Sequence, residues 1–379
     1  MKQLKKIIAF AAFALTAGMM TSCNESGDET IALENGTKSS GFPIETQKNP
    51  EVTGNTNIPN IQATPDKYNG TEVIRIDMTG IQDYNDKYKW LKLYGTHEPY
   101  QNIWVEVDGE PQGIIVINLA DLEQTKVKTD IVFTVDNSSS MKEEANTLAK
   151  EIIDWANFLF SNNLDVQFGV VGYGGFVDGA MNLTNAASLS SYLNRSGLSG
   201  TSRTVGFDGS DWSILQNYAN NFPRTGNTAD AYECGAMAIR FADQYFNWRS
   251  GSNRVYVNFT DEPNQPRGNQ DYSVEFFRSQ SNWPAQKGTV HTVFSASYSN
   301  SEKPWLISDY TGGTTIYAKP DFSDVTLLNL PVTGALQNSY LIYFLNIEKF
   351  KDGKNHIVHI TIRDKSGTMA DKTFTVRFS

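Results

Sequence analysis

Residues 130–141 read Asp130-Ile131-Val132-Phe133-Thr134-Val135-Asp136-Asn137-Ser138-Ser139-Ser140-Met141. The first six form a near-continuous apolar run, the pattern of a strand buried on both faces of a parallel sheet. The chain then changes abruptly to Asp, Asn and Ser. The following stretch, KEEANTLAKEIIDWANFLF, returns apolar residues at helical spacing: Ala145, Leu148, Ile152, Ile153, Ala156 and Leu159. A buried strand feeding an amphipathic helix is the start of a βαβ unit.

The rhythm continues downstream. VQFGVVGY, VYVNFT, TVHTVFS and TTIYA read as strands, and TADAYECGAMAIRFADQYF and DYSVEFFRSQ as helices. The expectation for 128–330 is an α/β domain with a doubly wound, mostly parallel sheet, whose ligands sit at the carboxyl ends of the strands.

The flanks have a different style. TEVIRIDM, KWLKLYG, NIWVEVDG and GIIVINL in 69–127, and YLIYFLN, HIVHITIRD and KTFTVRF in 331–379, are short strands. They are separated by turn signals such as Asp108-Gly109 and Ser366-Gly367. Neither flank suffices alone. Together they predict a small antiparallel β-sandwich into which the α/β domain is inserted.

Residues 1–22 begin with Lys2, Lys5 and Lys6 and continue with the apolar run IIAFAAFALTAGMM. That run is too short to span a bilayer and has the length of a signal-peptide core. Met20-Thr21-Ser22-Cys23 resembles the lipobox of bacterial lipoproteins, which implies lipidation at Cys23. The acidic stretch after it resembles the tether signals that send some lipoproteins to the outer face of the outer membrane. Residues 23–68 are polar and read as a flexible linker, with a reach of roughly 35–40 Å. The expected localisation is the cell envelope, lipid-anchored, outer membrane and surface-exposed.

Composition narrows the function. A formal net charge of -10 argues against nucleic-acid binding, which needs a basic face. Two cysteines and four scattered histidines offer no zinc site or disulfide framework. His291 and His359 lie in strand-like runs and read as strand-face residues; Cys234 reads as a buried, inert thiol. GYGGF (172–176) lacks the pattern of a phosphate loop, and no nucleophile elbow or zinc-protease motif occurs. Asp165, Asp261 and Glu262 are the carboxylates a hydrolase would have to pair, and nothing in their spacing does so.

Three oxygen-bearing segments remain. Asp136-x-Ser138-x-Ser140 follows the first strand, Thr228 precedes a helix, and Asp261 follows the strand VYVNFT. Short oxygen side chains at alternate positions of a tight turn can converge on a hard cation. The same residues are also favoured helix caps.

Taken together, Asp136, Ser138, Ser140, Thr228 and Asp261 resemble the metal-ion-dependent adhesion site of von Willebrand factor A domains. Phe168–Tyr173 resembles the family's second strand, and 309–314 (DYTGGT) its turn ahead of the last strand. The resemblance implies that Mg2+ or Ca2+ is held directly by Ser138 and Ser140, and by Thr228 directly or through water. Asp136 and Asp261 would act through coordinating waters. Asp230 is the competing choice to Thr228; otherwise it is a favourable charge in a helix's first turn. The function implied is a binding or adhesion module, not an enzyme, with the cation bridging to an acidic side chain of a protein partner. An envelope assembly scaffold and a hydrolase built on the same domain are the alternatives. Tyr173, Phe176, Trp212, Pro263 and Arg267 are the residues expected at the rim, each equally able to be ordinary packing.

Overall fold

The computed structural model describes residues 46–59, 61–86, 89–95, 101–121, 128–161, 164–295, 302–329, 331–345 and 347–378. The signal-peptide segment, Cys23 and the acidic stretch behind it lie outside these described residues.

The chain first forms β1 (Gln62–Tyr68), β2 (Thr71–Met78), β3 (Ile103–Val107), β4 (Glu110–Gln112) and β5 (Ile114–Asn118). Asp108 and Gly109 both take positive φ (51° and 79°) in the tight turn between β3 and β4. Then β6 (Lys128–Asp136) leads through a 3-10 turn to α1 (Glu144–Ser161). It is followed by β7 (Asp165–Tyr173), β8 (Val177–Thr184), α2 (Ala186–Leu193), β9 (Gly206–Asp208), α3 (Trp212–Asn221), α4 (Gly235–Tyr245), β10 (Asn253–Thr260), β11 (Thr289–Phe294), α5 (Trp305–Thr311), β12 (Thr315–Tyr317) and α6 (Pro331–Gln337). The chain closes with β13 (Tyr340–Leu345), β14 (Asn355–Arg363) and β15 (Met369–Arg377).

The central sheet has seven strands in the order β12-β11-β10-β6-β7-β8-β9. Neighbours from β12 to β7 are parallel, and β8 turns antiparallel against β7. Both faces of β6 are buried, as the apolar run requires. Ile131, Phe133 and Val135 join Leu148, Ile152 and Trp155 of α1 in one core. Val132 faces the other way, into a core with Met237 and Phe241 of α4. The fold is therefore the expected doubly wound, mostly parallel sheet with helices on both faces.

The flanking strands build two four-stranded antiparallel sheets, β1-β2-β13-β5 and β15-β14-β3-β4. Each sheet mixes strands from before and after the inserted domain: β2 pairs with β13, and β3 with β14. Their inner faces share one core, with Ile74, Ile76 and Ile342 from the first sheet and Val105, Ile360 and Phe374 from the second. This interleaving is why neither flank reads as a domain alone.

The structure corrects several boundaries. The linker expected over 23–68 ends earlier, because β1 pairs with β2 over Gln62–Tyr68 and the preceding segment docks on the sandwich. There Asn49 bonds the β14 residues His359 and Thr361, Asn55 bonds Met369, and Ile58 and Ile61 are buried. Two isolated apolar residues among polar ones, Ile58 and Ile61, carry this docking together with the Asn bonds, which a composition argument passes over. KWLKLYG contributes only an isolated bridge, Gln82 to Trp90, rather than a strand. The α/β domain runs past 330, since α6 puts Leu336 into its core and Thr333 accepts a bond from the Trp155 indole at 2.7 Å. DYSVEFFRSQ forms two short 3-10 turns instead of a helix. The helix expected from Thr228 onward starts only at Gly235.

Candidate metal centre

β6 and β10 are adjacent and parallel, and the chain winds away from them in opposite directions along the sheet. Their carboxyl ends thus mark the topological switch point, where open α/β sheets take their ligands. Asp136 ends β6, and Asp261 directly follows β10.

The turn after β6 is shaped by its own side chains. Asp136 is fully buried, and one carboxylate oxygen accepts the backbone N–H of Ser138 at 2.9 Å. This is the local bond by which Asp tightens a turn two residues on. The other oxygen accepts from the Thr260 hydroxyl at 2.9 Å, tying the ends of β6 and β10 together. Met141, buried in the α1 core, pins the far side of the turn.

The hydroxyls of Ser138 and Ser140 lie 3.0 Å apart, and Ser140 donates to Asp261 at 3.1 Å. Four of the five expected residues, Asp136, Ser138, Ser140 and Asp261, therefore meet in one hydrogen-bonded cluster. Thr228 is exposed, and among the described residues its hydroxyl makes no hydrogen bond to that cluster. Asp230 does reach the turn, accepting the Ser139 N–H at 2.5 Å. The helix-dipole reading of Asp230 falls, because α4 begins at Gly235.

The loop carrying Thr228 and Asp230 is held in place by the glycines of GYGGF. Gly175 donates to the Thr228 carbonyl at 3.3 Å, Gly226 donates to the Gly175 carbonyl at 2.8 Å, and Cys234 donates to the Gly174 carbonyl at 3.2 Å. A Cβ on Gly174 would stand 2.1 Å from the Ala229 oxygen, and one on Gly175 2.1 Å from the Ala231 oxygen. These glycines serve backbone-on-backbone packing beside the site rather than a phosphate.

Two carboxylates join the cluster that the sequence did not single out. Glu233 is buried; its carboxyl is pushed up to about 8, first by burial and then by Asp136, Glu262, Asp261 and Asp230. Glu144 is buried at the start of α1 with one oxygen unpartnered, and burial followed by Asp261 raises it too. Burial also pushes Asp136 up to about 7 against the bonds from Ser138 and Thr260, and raises Asp261. None of Asp136, Glu144, Glu233 and Asp261 makes an ion pair among the described residues. Buried anions without counter-charge are costly, and a hard divalent cation among these oxygen donors would relieve them. The Ser138 and Ser140 hydroxyls with the Asp136 and Asp261 carboxylates are hard oxygen donors of the kind such a cation takes, while among the described residues no group of three or more His, Cys, Asp and Glu side chains is placed to hold a metal. Reading Glu233 as part of a helix hid it, and no sequence signal placed it in a loop on the sheet's ligand edge.

Other expectations resolve plainly. Tyr173 is core, not rim: it is fully buried, and its hydroxyl donates to Asn258 at 3.0 Å. Pro263 is also buried, whereas Arg267 is exposed and lies 4.6 Å over the Tyr232 ring. Cys234 is buried, with its thiol pushed up to about 12 by burial. Asp165 stands at the amino end of β7, paired with Arg249, at the opposite edge of the sheet from Asp261. A nine-residue strand separates those edges by roughly 26 Å, which excludes the two as paired hydrolytic carboxylates.

No known family profile and no curated protein matches the chain in sequence. Among solved structures it is similar to proximal thread matrix protein 1 of the mussel byssus, at 12% identity and a TM-score of 0.33, covering 57% of this chain and 49% of that one. It is similar to an aerotolerance-related membrane protein of Bacteroides fragilis at 15% identity and a TM-score of 0.31, covering 55% of this chain and 98% of that one. With BatB of Bacteroides thetaiotaomicron the values are 13% and 0.32, over 50% of this chain and 90% of that one. Likeness this remote leaves function to the residues themselves.

Proposed function

We propose that the chain is a lipid-anchored envelope protein whose α/β domain binds another protein through a divalent cation. The observation that carries this reading is the hydrogen-bonded chain Asp136–Ser138–Ser140–Asp261 at the switch point, with buried carboxylates around it that lack counter-charge. Ser138 and Ser140 would be direct ligands, with Thr228 or the nearer Asp230 completing the set. Asp136 and Asp261 would orient bound water and balance charge. Held mainly by neutral oxygens, Mg2+ or Ca2+ retains Lewis acidity for a carboxylate presented by the partner. The lipobox-like segment ending in Cys23 supports anchoring to a membrane, with the outer membrane and surface exposure as the proposed address. The chain itself is proposed to turn over no substrate.

The test is calorimetric titration of the detergent-solubilised full chain with Mg2+ and Ca2+, paired with capture of envelope proteins with and without chelator. Saturable cation binding that Ser140→Ala weakens, and a captured protein released by chelator, support the reading. Absence of cation binding sinks it.

A further inference from the structure

We infer that the cleft between the β-sandwich and the α/β domain is a binding site for one neutral sugar ring. It lies at the amino-terminal half of β10 and β11, far from the candidate metal centre, where residues 79–82 and Trp90 of the sandwich and the arm around Asn57 close over the sheet. Its volume is about 180 Å³. A cavity of about 150 Å³ already admits benzene, so this one has room for a single six-membered ring.

The lining sets the chemistry. In a chain of net charge -10, no carboxylate is among the described lining residues. Amides and hydroxyls take their place, Asn57, Thr79, Gln82 and Asn253 among them, with the Trp90 indole as an apolar platform. The one cationic side chain among the described lining residues, Arg254, is turned to the other side of the sheet, 3.6 Å from Asp243 and stacked over Trp248.

His291 contributes a donor of fixed identity. Its Nδ1 accepts the backbone N–H of Thr314 at 3.1 Å, so the ring proton sits on Nε2, which no described residue engages. Burial holds the ring neutral at physiological pH, lowering it to about 4. At the floor, Asn253 is buried with neither end of its amide partnered among the described residues. Both of those amide atoms lie beneath the cleft surface, so the uncharged hydrogen-bonding capacity that the cleft itself offers is that of His291 Nε2 and the lining hydroxyls and amides. Hydroxyl edges and C–H faces, as on a pyranose, match donors, acceptors and an indole placed around one ring-sized space.

Saturation-transfer NMR on the detergent-solubilised full chain tests this with glucose, galactose, mannose and N-acetylglucosamine, against glucuronate and glucosamine. Transfer to at least one neutral sugar is expected, unchanged by chelator, and at least tenfold weaker binding in both Thr79→Val and Trp90→Leu, each checked for an intact thermal transition. No transfer from any neutral sugar, equal transfer from the charged ones, or undiminished binding in both variants overturns the inference. Because chelator leaves this signal intact, its failure and that of the metal site are separately visible.

Discussion

The side-chain amide of Asn137 donates to the Asp178 carboxylate at 2.7 Å, fastening the turn that carries Ser138 and Ser140 to β8. The Asn137 carbonyl accepts in turn from the Thr204 hydroxyl, and its backbone N–H donates to the Tyr173 carbonyl at 2.6 Å. Three neighbouring segments thus grip one residue between the proposed ligands. Partners behind a metal site orient it, and losing them typically costs 10- to 100-fold in affinity. Asn137→Ala should weaken cation binding about tenfold. It should also lower stability by about 1–3 kcal/mol, because the half-buried Asp178 loses its donor. Unchanged affinity by calorimetry would show that the turn holds its shape without the latch.

Ser138→Ala with Ser140→Ala removes the two hydroxyls proposed as direct ligands. The Ser138 backbone bond to Asp136 and the Asp136–Thr260 bond survive, so the turn should keep its shape. The expected outcome is loss of cation binding with a thermal transition lowered by no more than a few degrees. Global unfolding of the double variant would mean that these hydroxyls serve the fold first.

The strand–turn–helix from Asp130 was legible because each part obeys a strong local rule: two-sided burial, an Asp-closed turn, and helical spacing behind Met141. The mixed sandwich was legible from its alternating strands, although only the structure pairs β2 with β13 and β3 with β14. The loop 225–234 was not legible. From Thr228 its sequence reads as the first turns of a helix, yet the Gly174–Gly175 backbone captures its N–H and C=O groups and delays α4 to Gly235. Tertiary hydrogen bonding overrode propensity there, hiding Glu233 and bringing Asp230 rather than Thr228 against the turn. Antiparallel β8 went unread for a similar reason: VDGAMNLT carries no clean alternation, because neighbours on both faces bury most of it.

Gly175 offers a direct check on that loop. A methyl group there would meet the Ala231 carbonyl oxygen and the Gly226 Cα, both backbone atoms that cannot rotate away. Gly175→Ala should destabilise by more than about 2 kcal/mol and weaken cation binding by displacing Asp230. Gly197→Ala is a fair comparison, since it meets nothing within 4 Å but carries the strain of a positive φ of 81°. Equal, small losses in the two variants would show that the clamp is loose.

Cys23→Ser should move the protein from the membrane fraction to the soluble fraction of the cell envelope. Acyl chains contribute about 0.8 kcal/mol per buried methylene, and several together hold a protein at a bilayer. Membrane association that persists in the variant would count against lipid anchoring at Cys23.

His291 gives a pH dependence with a definite sign. Its folded-state value, lowered by burial to about 4, lies below the 6.5 of the unfolded chain. Between those values the unfolded state binds the proton more tightly, so acidification favours unfolding. This share of stability is whole above about pH 6.5 and declines until about pH 4. The gap corresponds to a loss on the order of 3 kcal/mol. Asp136 and Glu233, raised in the fold, act in the opposite direction over part of this range, so the comparison must be with a variant. His291→Gln keeps an acceptor for Thr314 and removes the titration. The melting temperature of the parent should therefore fall relative to His291→Gln by several degrees from pH 6.5 to pH 4. Parallel curves from differential scanning calorimetry would mean that the ring gains its proton without opening the fold, through water admitted by the cleft it lines.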